Sequence, residues 1–239
     1  MKKLLLLHGA IGAASQFDKL REELKTELKD KFEIHTMNFS GHGGEAMPDM
    51  FSIELFADDV VKYLEKNNLE NIDVFGYSMG GYVALYIASQ YKNKVNKIFT
   101  IATKFDWNEE SSVKESKMLN PAKMEEKIPA FAKALEKRHS PHESPQESSN
   151  NWKVVLNKTA EMMLDLGKKP VLTDEVLEKI ENDVLISVGD KDTMVTLEET
   201  ANAAGKLKNG KLFIFSETEH PIEKMDVKKL STEIKNFFN

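Results

Sequence analysis

Residues 72–85, which read IDVFGYSMGGYVAL, constrain the fold more than any other part of the chain. A hydroxyl can point out of the end of a strand only if the chain reverses within one or two residues. Neighbours without side chains then let the strand and the following helix approach. Gly76 and Gly80 lie two residues before and after Ser78, and Gly81 adds clearance. The pattern predicts a buried strand, a sharp turn that presents Ser78 as a nucleophile, and a helix. The alternative is a glycine-rich turn with an incidental serine.

Two backbone N–H groups are candidate donors to an anion at Ser78. The helix predicted after Ser78 has the positive end of its dipole at this turn, and the N–H of Met79 is free there. Gly9 lets the chain turn after the first strand, so that the N–H of Ala10 can face the same site. Ile11 is a weaker candidate donor. Removing one such donor costs about 2.7–4 kcal/mol of transition-state stabilisation.

Composition excludes several classes of protein. A formal charge of −6 argues against a nucleic-acid binder, which usually presents a basic face. The absence of cysteine rules out disulfides and a thiolate nucleophile. No apolar run approaches the roughly 20 residues that a membrane helix needs. The 239 residues suffice for one large domain, with or without an insertion, and neither a metal nor a cofactor is expected.

The first residues, MKKLLLL, imitate the start of a signal peptide. The apolar run nevertheless stops after four leucines at His8 and Gly9, short of the roughly 7–15 residues of a signal-peptide core. A continuous apolar run is also typical of a buried parallel strand. We therefore expect a strand here and a cytoplasmic location.

Apolar runs and amphipathic segments alternate along most of the chain. Such alternation predicts an α/β fold with a parallel sheet and right-handed crossovers. The predicted strands are residues 3–7, 32–39, 72–75, 95–102, 184–188 and 211–215. The predicted helices between and after them are residues 16–29, 52–67, 80–91, 174–180, 196–207 and 227–238.

The alternation breaks after the fourth strand. No convincing strand is found from residue 105 to about residue 166, and the periodicity predicts helices at residues 111–119, 121–138 and 152–166. Residues 139–150 are polar and rich in serine and proline, and we interpret them as a linker. We expect a core domain of residues 1–104 and 173–239 with a helical cap, residues 105–172, over the carboxyl ends of the strands.

A base must accept the proton of Ser78, and the chain has six histidines. His35 lies inside a predicted strand, His42 lies in a glycine-rich turn, and His139 and His142 lie in the polar linker. His8 precedes its turn and is expected to be structural. His220 follows the last strand at the carboxyl edge of the sheet, which makes it the predicted base.

An orienting carboxylate is predicted in the loop after the fifth strand. Asp192 lies four residues past the end of that strand, where a loop can carry it over the sheet, whereas Asp190 more readily stabilises the turn. Asp106, after the fourth strand, is a third candidate. Asp192 gives the chain order serine, aspartate, histidine.

The chain resembles the small esterases and lipases of the α/β-hydrolase fold. The resemblance covers essentially the whole chain and rests on HGA at residues 8–10, GHG at 41–43, GYSMGG at 76–81, GDKD at 189–192, and EH at 219–220. It implies an α/β-hydrolase fold and a serine hydrolase with the catalytic triad Ser78, Asp192 and His220. The same resemblance identifies the helical segment as a cap or lid.

Two departures from the family pattern stand out. Family members usually have two more strands before the His-Gly strand, so this chain should form a six-stranded parallel sheet. The last loop carries Glu219 before His220 where the family usually has glycine.

The substrate is the least constrained part of the interpretation. Trp107, Phe131 and Trp152, with several methionines, could line an acyl pocket, or they could form the core of the cap itself. The favoured function is cleavage of a small carboxylic ester through an acyl-enzyme. A lyase or carbon–carbon hydrolase with the same triad, and a non-catalytic small-molecule binding protein on the same fold, stay open.

Overall fold

A computed structural model describes residues 1–28, 31–140 and 151–239. In that part of the chain, six strands form one sheet in the order β2-β1-β3-β4-β5-β6, and every neighbouring pair is parallel. The predicted six-stranded parallel sheet is therefore confirmed. The strands are β1 (Lys2–Leu7), β2 (Phe32–Thr36), β3 (Ile72–Tyr77), β4 (Val95–Ile101), β5 (Asp183–Gly189) and β6 (Asn209–Phe215).

The central strands are apolar on both faces because helices cover both faces. In β1, Leu4 and Leu6 face one hydrophobic cluster, whereas Leu5 and Leu7 face the other, and all four are fully buried. Successive side chains of a strand point to opposite faces, so one run of leucine supplies both cores. The run that imitates a signal peptide is thus the interior strand β1.

Helices from the alternating part of the chain cover the two faces. Helices α1 and α10 supply the cluster on the Leu4 side, and α2, α3 and α9 supply the cluster on the Leu5 side. Side-chain caps define where several helices begin. Before α2, for example, the hydroxyl of Ser52 accepts a hydrogen bond from the N–H of Leu55. The bounds are α1 (Asp18–Leu28), α2 (Ile53–Lys66), α3 (Met79–Gln90), α8 (Asp174–Leu177), α9 (Leu197–Lys206) and α10 (Val227–Phe238).

Strand β2 ends at Thr36, three residues before the predicted end. Side chains take over the hydrogen bonding of the backbone at this point: the N–H of Phe39 donates to Nε2 of His8 over 3.2 Å. This bond holds the segment after Thr36 beside the end of β1. Residue 29, the predicted last residue of the first helix, lies outside the described part of the chain.

Residues 105–172, which form most of the region between β4 and β5, are called the insert. Its described helices are α4 (Glu109–Ser116), α5 (Pro121–Lys127), α6 (Pro129–His139) and α7 (Asn151–Lys168). The prediction of one helix over residues 121–138 is wrong. Pro129 disfavours helical geometry at the residue before it, and Ile128 accordingly has φ −138° and ψ 57°.

The insert has a hydrophobic core of its own and is also anchored to the sheet domain. The side chains of Met162 and Leu166 on α7 join the cluster on the Leu5 side of the sheet. His139 is buried at the end of α6, so its assignment to the linker is wrong. Residues 141–150, the rest of that linker with His142, lie outside the described residues. The insert's own core consists of Leu119, Met124, Ala132, Leu135, Trp152 and Leu156.

Candidate active site

Ser78 occupies a strained turn between β3 and α3. Its backbone has φ 52° and ψ −116°, a conformation that residues with side chains rarely adopt. A Cβ on Gly80 would lie 2.1 Å from the carbonyl oxygen of Leu7, so only glycine fits there. The N–H of Ser78 donates to the carbonyl of Ile101 at 2.8 Å, and the Thr103 hydroxyl donates to the Ser78 carbonyl at 3.0 Å. The end of β4 and the residues just after it thus hold the strained turn.

Asp192 and His220 meet at the same edge of the sheet. Nδ1 of His220 lies 2.8 Å from Oδ2 of Asp192, whose side chain is fully buried. The other oxygen, Oδ1, accepts from the N–H groups of Met194 at 2.8 Å and Val195 at 2.9 Å. The carboxylate is therefore fixed before it orients the imidazole. The His220 and Tyr77 rings lie 5.8 Å apart, which places His220 beside the Ser78 turn.

The two rival carboxylates make other contacts. Asp190 accepts from the N–H of Thr218 at 3.3 Å, so it ties the loop after β5 to the loop after β6. Asp106 accepts from the side chain of Asn108 at 2.9 Å near the start of α4. Geometry therefore joins Asp192, and neither rival, to His220.

The loop after β1 lies against the Ser78 turn. A Cβ on Gly9 would lie 3.2 Å from the Cβ of Ser78. The N–H of Gly12 donates to the carbonyl of Gly9 at 3.1 Å, and Ile11 takes φ 51° to close this tight turn. Within the described residues, the N–H groups of Ala10 and Met79 donate to no protein acceptor. Both residues line the same cavity as Ser78.

Three buried histidines surround that loop, and burial lowers the pKa of each. The pKa falls to about 3 for His8, to about 4 for His139, and well below its ordinary value for His42. At neutral pH these rings are uncharged, and each has one donor and one acceptor nitrogen. His8 accepts from Phe39 through Nε2, so its Nδ1–H donates to the carbonyl of Gly9 over 2.8 Å. Both ring nitrogens of His8 thus bind backbone groups.

The cavity at Ser78 is small and mostly apolar. It has a volume of about 40 Å³, far below the roughly 300–1,000 Å³ of most ligand pockets. Of the three aromatic candidates, Trp107 lines it. Phe131 and Trp152 do not: Phe131 is 39% exposed on α6, and Trp152 is buried in the core of the insert. The remaining lining residues are Ala10, Ile53, Ser78, Met79, Tyr82, Lys104, Met162, Met163 and Leu166.

Lys104 is a cavity residue that sequence reasoning missed. Its Nζ lies 3.7 Å from a carboxylate oxygen of Glu199 and 5.9 Å from the centre of the Trp107 ring. A single lysine after β4 carries no sequence signal that separates it from the 30% of residues that are charged. In the described ranges, no cluster of His, Cys, Asp or Glu could hold a metal ion, and no helix has the length and apolarity to cross a membrane.

Comparison with known proteins agrees with this architecture. The family model described as the alpha/beta hydrolase fold matches residues 2–120, which include β1, the Ser78 turn and β4. The chain therefore belongs to the α/β-hydrolase-fold superfamily.

One curated relative is the pimeloyl-[acyl-carrier protein] methyl ester esterase of Neisseria meningitidis serogroup C. It is 30% identical over 103 residues, which cover 43% of this chain and 37% of the relative. The match thus spans about a third of the length of that relative.

Solved structures match over nearly the whole chain. A thermophilic esterase from Thermogutta terrifontis aligns with a TM-score of 0.73 and 19% identity, covering 99% of this chain and 89% of that one. The 2-hydroxy-6-oxo-6-phenylhexa-2,4-dienoate hydrolase from Rhodococcus sp. strain RHA1 aligns with a TM-score of 0.77 and 16% identity, covering 99% and 90%. At these identities the likeness defines the fold.

Proposed function

We propose that this protein is a serine hydrolase that cleaves small carboxylic esters through an acyl-enzyme. The nucleophile is Ser78, the base is His220, and the orienting acid is Asp192. The N–H groups of Ala10 and Met79 form the oxyanion hole. The observation that carries the proposal is the part-buried 2.8 Å contact between Asp192 and His220 beside a strained serine turn.

The chemistry follows from the roles of these groups. Oγ of Ser78 attacks the ester carbonyl carbon while Nε2 of His220 accepts the hydroxyl proton, and the carbonyl oxygen gains the negative charge. When the tetrahedral intermediate collapses, the bond to the alcohol oxygen breaks and His220 returns the proton to that oxygen. A water molecule then repeats the sequence on the acyl-enzyme, releases the acid and restores Ser78.

Asp192 and the two N–H groups account for much of the rate in this scheme. A carboxylate on Nδ1 keeps the proton there, so that Nε2 is free to accept from Ser78, and it stabilises the imidazolium that forms. The N–H groups of Ala10 and Met79 are already free of protein acceptors, so no hydrogen bond must break to receive the oxyanion.

The cavity supports a small acyl group. About 40 Å³ accommodates a few waters or a short acyl chain. The walls include Met162 and Met163, whose flexible side chains could shift to admit a somewhat longer chain. We therefore propose short-chain esters as the preferred substrates.

The names of several relatives agree with ester cleavage, including the Neisseria meningitidis methyl ester esterase and the Thermogutta terrifontis esterase. The match to the former covers only part of each chain, so its substrate is not carried over. The cytoplasmic location and the cap boundaries at residues 105–172 stay predictions from the sequence.

The test is labelling by a fluorophosphonate probe, followed by turnover of nitrophenyl esters of increasing acyl length. Wild-type protein should be labelled and should hydrolyse the acetyl ester fastest. Ser78→Ala should abolish both signals and retain the circular dichroism spectrum of the wild type. Unchanged labelling of Ser78→Ala contradicts the proposal. Labelling without turnover of any ester favours the lyase or carbon–carbon hydrolase instead.

A further inference from the structure

Two adjacent side chains at the end of α6 reach the loop after β1. Nη1 of Arg138 donates to the carbonyl of Ile11 over 3.2 Å, and Nε2 of His139 lies 3.0 Å from the same oxygen. These contacts link the insert to a loop that lies more than 120 residues away in the sequence. Ile11 needs such support because its φ of 51° is unfavourable for a β-branched residue.

The tautomer of His139 is fixed by its second contact. The N–H of Gly43 donates to Nδ1 of His139 over 3.1 Å, so Nδ1 is the acceptor of the ring. Burial lowers the pKa of His139 to about 4, and the neutral ring therefore has its proton on Nε2. Nε2–H consequently donates to the carbonyl of Ile11.

Because peptide groups are planar, the contact at the Ile11 carbonyl also affects the orientation of the proposed oxyanion-hole donor, the N–H of Ala10. In a trans peptide the N–H points opposite to the C=O of the same plane. The carbonyl of Ile11 and the N–H of Gly12 share one plane, and that N–H donates to the carbonyl of Gly9 at 3.1 Å. The carbonyl of Gly9, which accepts this hydrogen bond, lies in one peptide plane with the N–H of Ala10. Each hydrogen bond thus orients the following one.

We propose that Arg138 and His139 are positioning residues that hold the N–H of Ala10 toward the oxyanion through the Ile11 and Gly9 peptide planes. The inference rests on the proposed function, because it assigns the Ala10 N–H to the oxyanion hole. Hydrogen bonds in a chain polarise one another, so the positive guanidinium also strengthens the last donor. The insert therefore contributes to catalysis as well as to the shape of the cavity.

Arg138 connects the same loop to the loop that holds His220. Its Nη2 lies 3.0 Å from Oε1 of Glu223, an atom that also accepts from the side chain of Gln16 over 2.9 Å. Glu223 lies three residues after His220. A guanidinium donates in a fixed fork, so one side chain sets the spacing of the two loops.

Three variants and one matched control test the inference. Arg138→Met removes the fork and keeps the length, His139→Phe keeps the ring without polar atoms, and His139→Gln keeps a donor. Lys137→Met is the control because Lys137 is exposed on the same turn of α6. We expect a 10- to 100-fold loss of kcat on the acetyl ester for the first two, with KM nearly unchanged. That loss is smaller than the 10²–10³ expected for complete removal of a donor.

The amide signals of the loop distinguish positioning from a general structural role. In ¹⁵N–¹H spectra, the signal of Ala10 should shift in Arg138→Met and His139→Phe, return toward its wild-type position in His139→Gln, and stay in place in Lys137→Met. The affinity for a trifluoromethyl ketone, which mimics the tetrahedral intermediate, should fall with kcat. If His139→Phe does not fold, Arg138→Met and His139→Gln supply the same measurements.

Wild-type kcat and an unmoved Ala10 signal in Arg138→Met and His139→Phe would overturn the inference. A rise in KM at constant kcat would also overturn it, because the side chains would then act on substrate binding. Failure of the proposed function is separate: wild-type protein would show no turnover or labelling that depends on Ser78. The Ala10 signal would still report whether Arg138 and His139 position that amide.

Discussion

The Ser78 turn and the insert meet at one cavity, yet different interactions hold them there. The turn is fixed by the backbone: Ser78 has φ 52°, and a Cβ on Gly80 would lie 2.1 Å from a neighbouring carbonyl oxygen. The insert is fixed by side chains, with Met162 and Leu166 packed on the sheet domain and a small hydrophobic core of its own. Where the backbone itself is constrained, almost no substitution is tolerated. Where side chains make the contact, neighbouring side chains can rearrange around a substituted residue.

The difference predicts where substitutions should act. Changes at the sheet edge should abolish chemistry or folding, because no alternative geometry satisfies the turn and the Asp192–His220 contact. Changes in the insert should alter rate or selectivity by smaller factors.

Asp192→Asn should lower kcat by up to about 10⁴-fold, since an amide at this position favours the wrong tautomer of His220. The matched change Asp190→Asn should cost much less, because Asp190 contacts the N–H of Thr218 and not His220. The measurement is steady-state hydrolysis of the acetyl ester by both variants. A larger loss in Asp190→Asn than in Asp192→Asn would contradict the proposed roles.

Gly80→Ala should prevent folding or lower the free energy of unfolding by several kcal/mol, because its Cβ would overlap the backbone of Leu7. Gly205→Ala is the matched control: no atom lies within 4 Å of its Cβ, and it lies in helix α9. That variant should gain about 0.5–1 kcal/mol, since glycine destabilises helices relative to alanine. Urea unfolding of both variants measures these changes in the free energy of unfolding. A stable and active Gly80→Ala variant would show that the turn can relax.

The same contrast explains how much the sequence could predict. The strand, turn and helix around Ser78 form a local pattern, because each glycine clears a contact made within a few residues or with the adjacent strand. Asp192 and His220 were predicted because parallel strands bring their carboxyl ends to one edge. Both rest on rules about the backbone, which leave short signatures in the sequence.

The insert shows why the rest could not be predicted. Trp107 lies in the loop before α4, whereas Phe131 lies on α6 and Trp152 on α7. A single aromatic residue carries no sequence signal of whether it lines the cavity. His139 was assigned to the linker because polar residues rich in serine and proline follow it, while its partners Ile11 and Gly43 lie about 100 residues or more away. The break at Pro129 did have a signal: proline disfavours helix at the residue before it.

Acid should destabilise the fold through two of the buried histidines around the loop after β1. His8 and His139 have folded pKa values of about 3 and 4, below the ordinary 6.5, so the unfolded state binds more protons between these values. Stability should therefore fall as the pH drops below about 6.5. Two such groups contribute a slope of up to about 2.7 kcal/mol per pH unit between roughly pH 4 and 6.

His139→Gln measures how much of this pH dependence of stability comes from the histidine of the insert. The glutamine does not titrate, so the slope should decrease by up to about 1.4 kcal/mol per pH unit, while every carboxylate titrates as in the wild type. Urea unfolding at intervals from pH 4.5 to 7.5 measures both slopes. Equal slopes in the two proteins would mean that His139 is not held neutral by burial.

Trp107→Ala should give the smallest of these effects, a change in acyl-length preference with little loss of reactivity. Removing the indole enlarges a cavity of about 40 Å³, so longer nitrophenyl esters should gain up to roughly tenfold relative to acetyl. Phe131→Ala is the matched control, because Phe131 is exposed on α6 and does not line the cavity. Fluorophosphonate labelling should be nearly equal in both variants, since neither side chain belongs to the proposed triad or oxyanion hole. If Phe131→Ala changes the preference as much as Trp107→Ala does, the insert acts through its position and not through the wall that Trp107 provides.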